Sequence, residues 1–248
     1  MLTVVTGWTD AGFELYGRRF IEGFQRHWPT DGVHLIVYVW CLRPLSIGES
    51  RFPPTATFEF VNRHSKSNLA CGKQPISCWR AEERERGYSF RSDAVKFCQM
   101  STYPADAALT APPGILLWLD GDVMTHQDVP PTFVADMLGD ADCAYLGRQP
   151  AHSETGFVAF KIPAARPLID EWARLYLSDE VFELPEWHAA YVFDRAREKF
   201  EAAGGVCKSL TPAGARGHVW VKSPLANYLD HLKGNRKHKD RSPERDRK

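Results

Sequence analysis

Five consecutive apolar residues, Ile115 to Leu119, run straight into Asp120 and, one residue on, Asp122. A run with no polar alternation reads as a strand buried on both faces, which requires a sheet covered by helices above and below. Such a strand delivers its terminal carboxylates to the edge of the sheet, where something should want negative charge. Two further apolar runs belong to the same sheet. "LTVVTG" (2–7) and "VHLIVYVW" (33–40) read as strands, with "TFEFV" (57–61) a shorter third. Between the first two, "ELYGRRFIEGFQRHWP" has helical spacing, with Phe13, Phe20 and Phe24 roughly on one side. Strand, helix and strand at this spacing predict an α/β fold with a mostly parallel sheet.

Residues 62–88 are polar and read as a surface excursion, after which "FRSDAVKFCQMSTYPADAAL" returns to helical spacing and leads into the strand ending at Asp120. Beyond the aspartates the pattern predicts a short helix in "PTFVADMLG" and strands in "CAYLG" and "GFVAFKI". Two longer helices follow. The second, in "PEWHAAYVFDRAREKFEAAGG", is expected to start with Pro185 in its first turn and to end at Gly204 and Gly205. Trp40, Trp118 and Trp172 are assigned to the core, whereas Asp194 and Arg195 are expected on a solvated face.

The 248 residues, 44% hydrophobic, suffice for one large α/β domain without covalent staples. Six cysteines show neither zinc-type pairs nor a short disulfide framework, so free thiols in a reducing, cytoplasmic compartment are expected. No window approaches the roughly 20 apolar residues of a membrane span. Formal net charge is zero, which argues against a uniformly basic nucleic-acid binder. From Lys233 to Lys248, however, eight Lys or Arg stand against three Asp or Glu. A basic end of this kind is ordinarily a solvated, disordered tail, although it also attracts phosphates, including those of DNA.

Two carboxylates separated by Gly121 can bind a hard divalent cation, because Mg²⁺ and Mn²⁺ prefer oxygen ligands. An isolated Asp-x-Asp arises often by chance; the buried strand before it gives it weight. The second signal is "DHLKGNRK" (230–237), in which His231, Gly234 and Lys237 form His-x-x-Gly-x-x-Lys. A histidine can complete a metal shell, a glycine lets backbone N–H groups approach an anion, and a lysine offers charge to phosphate. The plainer reading is an accident of a basic tail, and the two motifs together favour a diphosphate–metal clamp.

With both motifs in this order, the chain resembles glycosyltransferases of the A-type (GT-A) fold, and within them the glycogenin and lipopolysaccharide galactosyltransferase family. "LLWLDGDVMTH" looks like the family's metal-binding strand and "HLKGNRK" like its clamp. The resemblance implies a Rossmann-like, mixed but mostly parallel sheet flanked by helices. It implies Asp120, Asp122 and His231 as ligands of Mn²⁺ or Mg²⁺, with Gly234 and Lys237 on the diphosphate of a nucleotide-sugar. "VVTGWTD" sits where the family holds the nucleoside, which implicates Thr6, Gly7 and Asp10; Trp8 is a candidate for stacking on base or sugar, or else closes the edge of the core. "FRSDAVKF" makes Arg91, Asp93 and Lys96 candidates for donor contacts. "SETGFVAF" resembles the Asn-x-Gly strand with Glu154 in place of asparagine, and "LPEWHAAYVFD" resembles the Asp-Gln-Asp segment with Glu186, Trp187 and His188 at the corresponding places.

The expectation is therefore one domain over 1–238, with a nucleotide-binding half to about 125 and an acceptor half beyond it, followed by a basic tail over 239–248. Its activity would be metal-dependent transfer of a hexose from UDP-glucose or UDP-galactose to a hydroxyl on a saccharide, a protein or a hydroxymethylated base in DNA. Glu154, Glu186 and His188 would serve the acceptor chemistry. Paired aspartates and a lysine equally suit a nucleotidyltransferase or phosphohydrolase, and a non-catalytic nucleotide-sugar or nucleic-acid binding module is the third reading.

Overall fold

The computed structural model describes residues 1–40, 58–62, 94–234 and 242. Its centre is a seven-stranded sheet formed by β1 (Leu2–Thr9), β2 (Val33–Trp40), β3 (Phe58–Asn62), β4 (Gly114–Leu119), β6 (Cys143–Leu146), β7 (Glu154–Ile162) and β8 (Cys207–Ser209). The order across it is β3-β2-β1-β4-β7-β6-β8. All pairings are parallel except those of β7, which runs antiparallel to β4 and to β6. A separate antiparallel ribbon joins β5 (Val123–Thr125) to β9 (Leu229–His231).

The expected burial on both faces is what the strands show, because successive side chains point to opposite sides. Leu35, Val37, Leu117, Leu119, Phe157 and Ala159 enter one apolar cluster. Their sequence neighbours Ile36, Tyr38, Leu116, Trp118, Val158 and Phe160 enter the other. The first face is covered by α1 (Arg18–His27), through Phe20, Ile21 and Phe24, by α3 (Phe133–Leu138), and by the segment around Trp220 and Leu229. The second carries α2 (Ala94–Thr110), α4 (Arg166–Leu177) and α5 (Ala189–Ala202), with Trp172 and Phe193 fully buried and their ring centroids 5.2 Å apart.

Three local expectations are corrected. The last long helix does not begin at Pro185. His188 is its N-cap, its imidazole accepting the Tyr191 N–H at 3.3 Å, so side-chain capping rather than proline sets the boundary. Asp194 is buried within α5 rather than solvated, accepting hydrogen bonds from Ser153 N at 3.0 Å and Ser153 Oγ at 2.5 Å. The thiols are not all free: Cys143 and Cys207 are, but Cys98 is disulfide-bonded, which removes part of the basis for expecting a reducing compartment. The 62–88 excursion lies outside the described residues. Among the described residues no helix is long and apolar enough to cross a membrane.

Candidate metal centre

β1 and β4 are parallel neighbours, so both chains leave the sheet at the same edge. Because β7 runs the other way, its first residues lie at that edge too: Leu119 pairs with Phe157, and Asp120 N–H donates to Gly156 O at 2.9 Å. The ribbon supplies the last component, since Val123 pairs with His231 and Leu232 N–H donates to Asp122 O at 3.2 Å. Asp120 and Asp122 from the β4–β5 turn, Glu154 from β7 and His231 from β9, three separate segments, thus converge on one point.

His231 Nε2 lies 2.8 Å from Asp122 Oδ1 and 3.4 Å from Asp120 Oδ2, with the imidazole 1% exposed. Burial opposes a charge on this ring, but the Asp122 carboxylate outweighs it, and the imidazole is raised to about 9. The two carboxylates demand a positive neighbour, and a protonated His231 answers that demand. A divalent cation would answer it as well, since two carboxylates and an imidazole form a mixed oxygen–nitrogen set suited to Mn²⁺ or Mg²⁺. Asp120, Glu154 and His231 each place a ligand atom within 4.8 Å of the others. Glu154 therefore belongs to this cluster at least as closely as to an acceptor subsite.

Two glycines are demanded by this crowding. A Cβ on Gly121, between the aspartates, would lie 2.9 Å from both Gly7 O and Trp8 Cε3, and 3.2 Å from Tyr16 Cε2. A Cβ on Gly156 would lie 2.5 Å from His231 Cε1. Tyr16 reaches Gly121 from a π-helical stretch, Phe13–Gly17, that precedes α1. Burial first, then the charges of Asp122 and Asp120, push its phenol up to about 12.

Glu154 is buried and ion-paired. Lys233 Nζ is 2.7 Å from each of its oxygens, Gly156 N–H donates to Oε1 at 3.1 Å, and Arg148 stands 3.9 Å away. Burial works against the charge, yet Lys233 and His231 overcome it and hold the carboxyl at about 2. Lys233 was not singled out from sequence. The signal was available, because in extended chain it projects to the same side as His231, two residues earlier.

The nucleoside candidates are less open. Thr6 is fully buried and Trp8 is 4% exposed, within β1 rather than a loop after it. Trp8 packs beneath Gly121 and beside Phe20, so it supports the floor of the site and presents no free face for stacking. Gly7 is partly exposed, Asp10 opens the helical turn Asp10–Gly12, and Lys96 is exposed on α2. Gly234 follows the ribbon in left-handed backbone, φ 58°. Arg91, Asp93 and Lys237 lie outside the described residues. Of the expected tail, Ser242 is described and is not solvated: it is 1% exposed, its N–H and Oγ donating to the two oxygens of Asp230 at 2.6 and 2.7 Å.

Glu186 and His188 form a second group with His152, a residue that sequence reasoning passed over. Glu186 accepts from His152 Nε2 at 3.1 Å and His188 Nε2 at 2.8 Å, and these contacts hold its carboxyl below the usual range. The three donors could in principle enclose a cation. The cap bond argues otherwise. With Nδ1 accepting from Tyr191 N–H, neutral His188 carries its proton on Nε2, which leaves no lone pair there for a metal. The arrangement is a carboxylate held by two imidazoles, one of which, His152, lies two residues along the chain from Glu154.

Fold and site together define an α/β protein of the A-type glycosyltransferase architecture with a candidate cation site at the carboxyl edge of its parallel strands. No family model matches the chain, and no curated protein matches it in sequence. Among solved structures it is similar to the crystal structure of a glycosyltransferase involved in the glycosylation of the major capsid of PBCV-1. The likeness covers 99% of this chain and 98% of that one, with a TM-score of 0.52 and 13% sequence identity. At that identity it shows a shared fold.

Proposed function

We propose that the protein is a metal-dependent glycosyltransferase that moves a hexose from a UDP-sugar, UDP-glucose or UDP-galactose, to an acceptor hydroxyl. The observation that carries this reading is the convergence of Asp120, Asp122 and His231 at the strand edge of a glycosyltransferase fold. Mn²⁺ or Mg²⁺ bound there would neutralise charge growing on the leaving diphosphate, an effect worth several kcal/mol. Asp120, Asp122 and His231 Nε2 would hold the cation, while Gly234 and Lys237 would contribute an amide and a charge to the diphosphate. Trp8 and Tyr16, packed on Gly121, keep the two aspartates at fixed spacing.

Glu154, ion-paired to Lys233 and buried, is not the residue to accept an acceptor proton. Glu186 suits that role better, being exposed, ionised and steadied by His152 and His188; in an inverting reaction it would deprotonate the acceptor hydroxyl. The acceptor would then approach from the side of α5. Soluble saccharides, protein hydroxyls and hydroxymethylated DNA bases form the acceptor panel. Protein hydroxyls gain interest because the structurally similar enzyme takes part in capsid glycosylation.

The first test is thermal unfolding with nucleotides and nucleotide-sugars, with and without Mn²⁺. Stabilisation by UDP or a UDP-sugar that requires Mn²⁺ and vanishes in Asp122→Ala is the expected result. Turnover should then release UDP together with glycosylated acceptor. Release of UMP or pyrophosphate would transfer the site to phosphoryl chemistry, and full activity in purified Asp122→Ala would remove the metal reading altogether.

A further inference from the structure

The ion pair between Lys233 and Glu154 has no evident place in binding the donor, yet it is built into the wall of the metal cluster. Three contacts fix the Glu154 carboxylate: Lys233 Nζ at 2.7 Å from both oxygens, and Gly156 N–H at 3.1 Å from Oε1. Oε1 also faces His231 Nδ1 at 3.6 Å, and that nitrogen is a buried polar atom with no hydrogen-bond partner among the described residues. The opposite nitrogen, Nε2, faces Asp120 and Asp122. The ring cannot easily turn, because Gly156 lies against its Cε1 edge and the Trp220 ring is 5.0 Å away by centroid.

A neutral imidazole has one protonated nitrogen and one with a lone pair, and only the latter can bind a cation. A carboxylate beside Nδ1 favours the form with its proton there, which turns the Nε2 lone pair toward the aspartates. Carboxylates orient ligating histidines in this way, and their loss typically weakens metal binding 10–100-fold. We infer that Glu154, locked by Lys233, is a positioning residue that fixes the tautomer and orientation of His231 so that Nε2 is the metal-binding nitrogen. This inference rests on the proposal that Asp120, Asp122 and His231 hold a divalent cation. It also gives the glutamate at this position, where the resembling family has asparagine, a task that depends on the lysine two residues after His231.

The test measures Mn²⁺ affinity by electron paramagnetic resonance, without donor or acceptor, in the wild type, Glu154→Leu, Glu154→Gln and Lys233→Met. In parallel, ¹⁵N-histidine spectra of the Mg²⁺-loaded proteins, with His231 assigned from His231→Gln, report which ring nitrogen carries the proton. The expected wild-type spectrum shows a protonated Nδ1. Glu154→Leu should show mixed tautomers and bind Mn²⁺ about 10–100-fold more weakly. Glu154→Gln keeps an acceptor oxygen in the same place; it should retain the tautomer with a smaller loss, and it preserves the test if the leucine variant does not fold. Unchanged affinity and spectrum in both Glu154 variants would overturn the inference. So would tighter Mn²⁺ binding by Lys233→Met, which would make Glu154 a direct ligand that the lysine holds away. A wild type that binds no Mn²⁺ would overturn the metal reading itself, and this inference with it, so the two failures are distinguishable.

Discussion

His231 sits between two carboxylates on one side and a third on the other, and its charge is a stability term as well as a functional one. Its folded-state value of about 9 lies above the ordinary 6.5. The stabilisation from the protonated ring is therefore complete below pH 6.5 and is lost as pH rises through 9, a change on the order of 3 kcal/mol. Glu154, held at about 2 against an ordinary 4.5, behaves oppositely: its contribution is present above 4.5 and lost as pH falls through 2. Metal-free protein in a chelator should thus show a melting temperature that declines between pH 6.5 and 9, and His231→Gln should flatten that decline. A wild-type melting temperature constant over this window would show that the Asp122 pairing does not hold the proton.

The elements meet at hydrogen bonds as well as at apolar faces, and Asp194 is the clearest case, joining α5 to Ser153 at the entrance of β7. Asp194→Ala leaves the buried Ser153 N–H without its acceptor and should cost roughly 1–3 kcal/mol. Urea unfolding checks this: a lower midpoint at unchanged slope is expected, because the compactness of both end states is preserved. That bond was not legible in the sequence, since its partners are 41 residues apart and a charged residue on a helix is ordinarily solvated. The strands were legible for the opposite reason. In β4, and in β2 from Leu35 onward, burial on both faces leaves an unbroken apolar run, and the carboxylates of Asp120 and Asp122 mark where one run stops; in β1 the apolar run is interrupted by the buried Thr3 and Thr6. The helix boundary at His188 was misread because Pro185 is also a good start signal, and only the cap contact decides between them. Glu154 was legible as unusual but not as Lys233's partner, which is 79 residues away.

At the scale of the whole molecule, the carboxy-terminal segment is part of the domain at Ser242. Asp230 receives both the N–H and the hydroxyl of Ser242, and His218 Nε2 lies 3.1 Å from that hydroxyl. A tail free in solvent could be removed without effect. Deleting residues 239–248 should instead lower stability by about 1–3 kcal/mol, because the buried Asp230 carboxylate loses the two hydrogen bonds from Ser242 and keeps, among the described residues, only His218 beside it; calorimetry of the shortened chain is the check, and an unchanged melting temperature would return this segment to the solvent. The β5–β9 ribbon has a further consequence for the order of events in protein synthesis. Asp120, Asp122 and Glu154 leave the ribosome well before His231, and the sheet that carries them can begin to pair as the chain emerges. The imidazole arrives only when β9 closes on β5, so a ribosome stalled before residue 231 carries an acidic cluster whose positive partner has yet to be made. Between those two moments the nascent chain holds like charges at close quarters, and the last of the described strands to be translated is the one that relieves them.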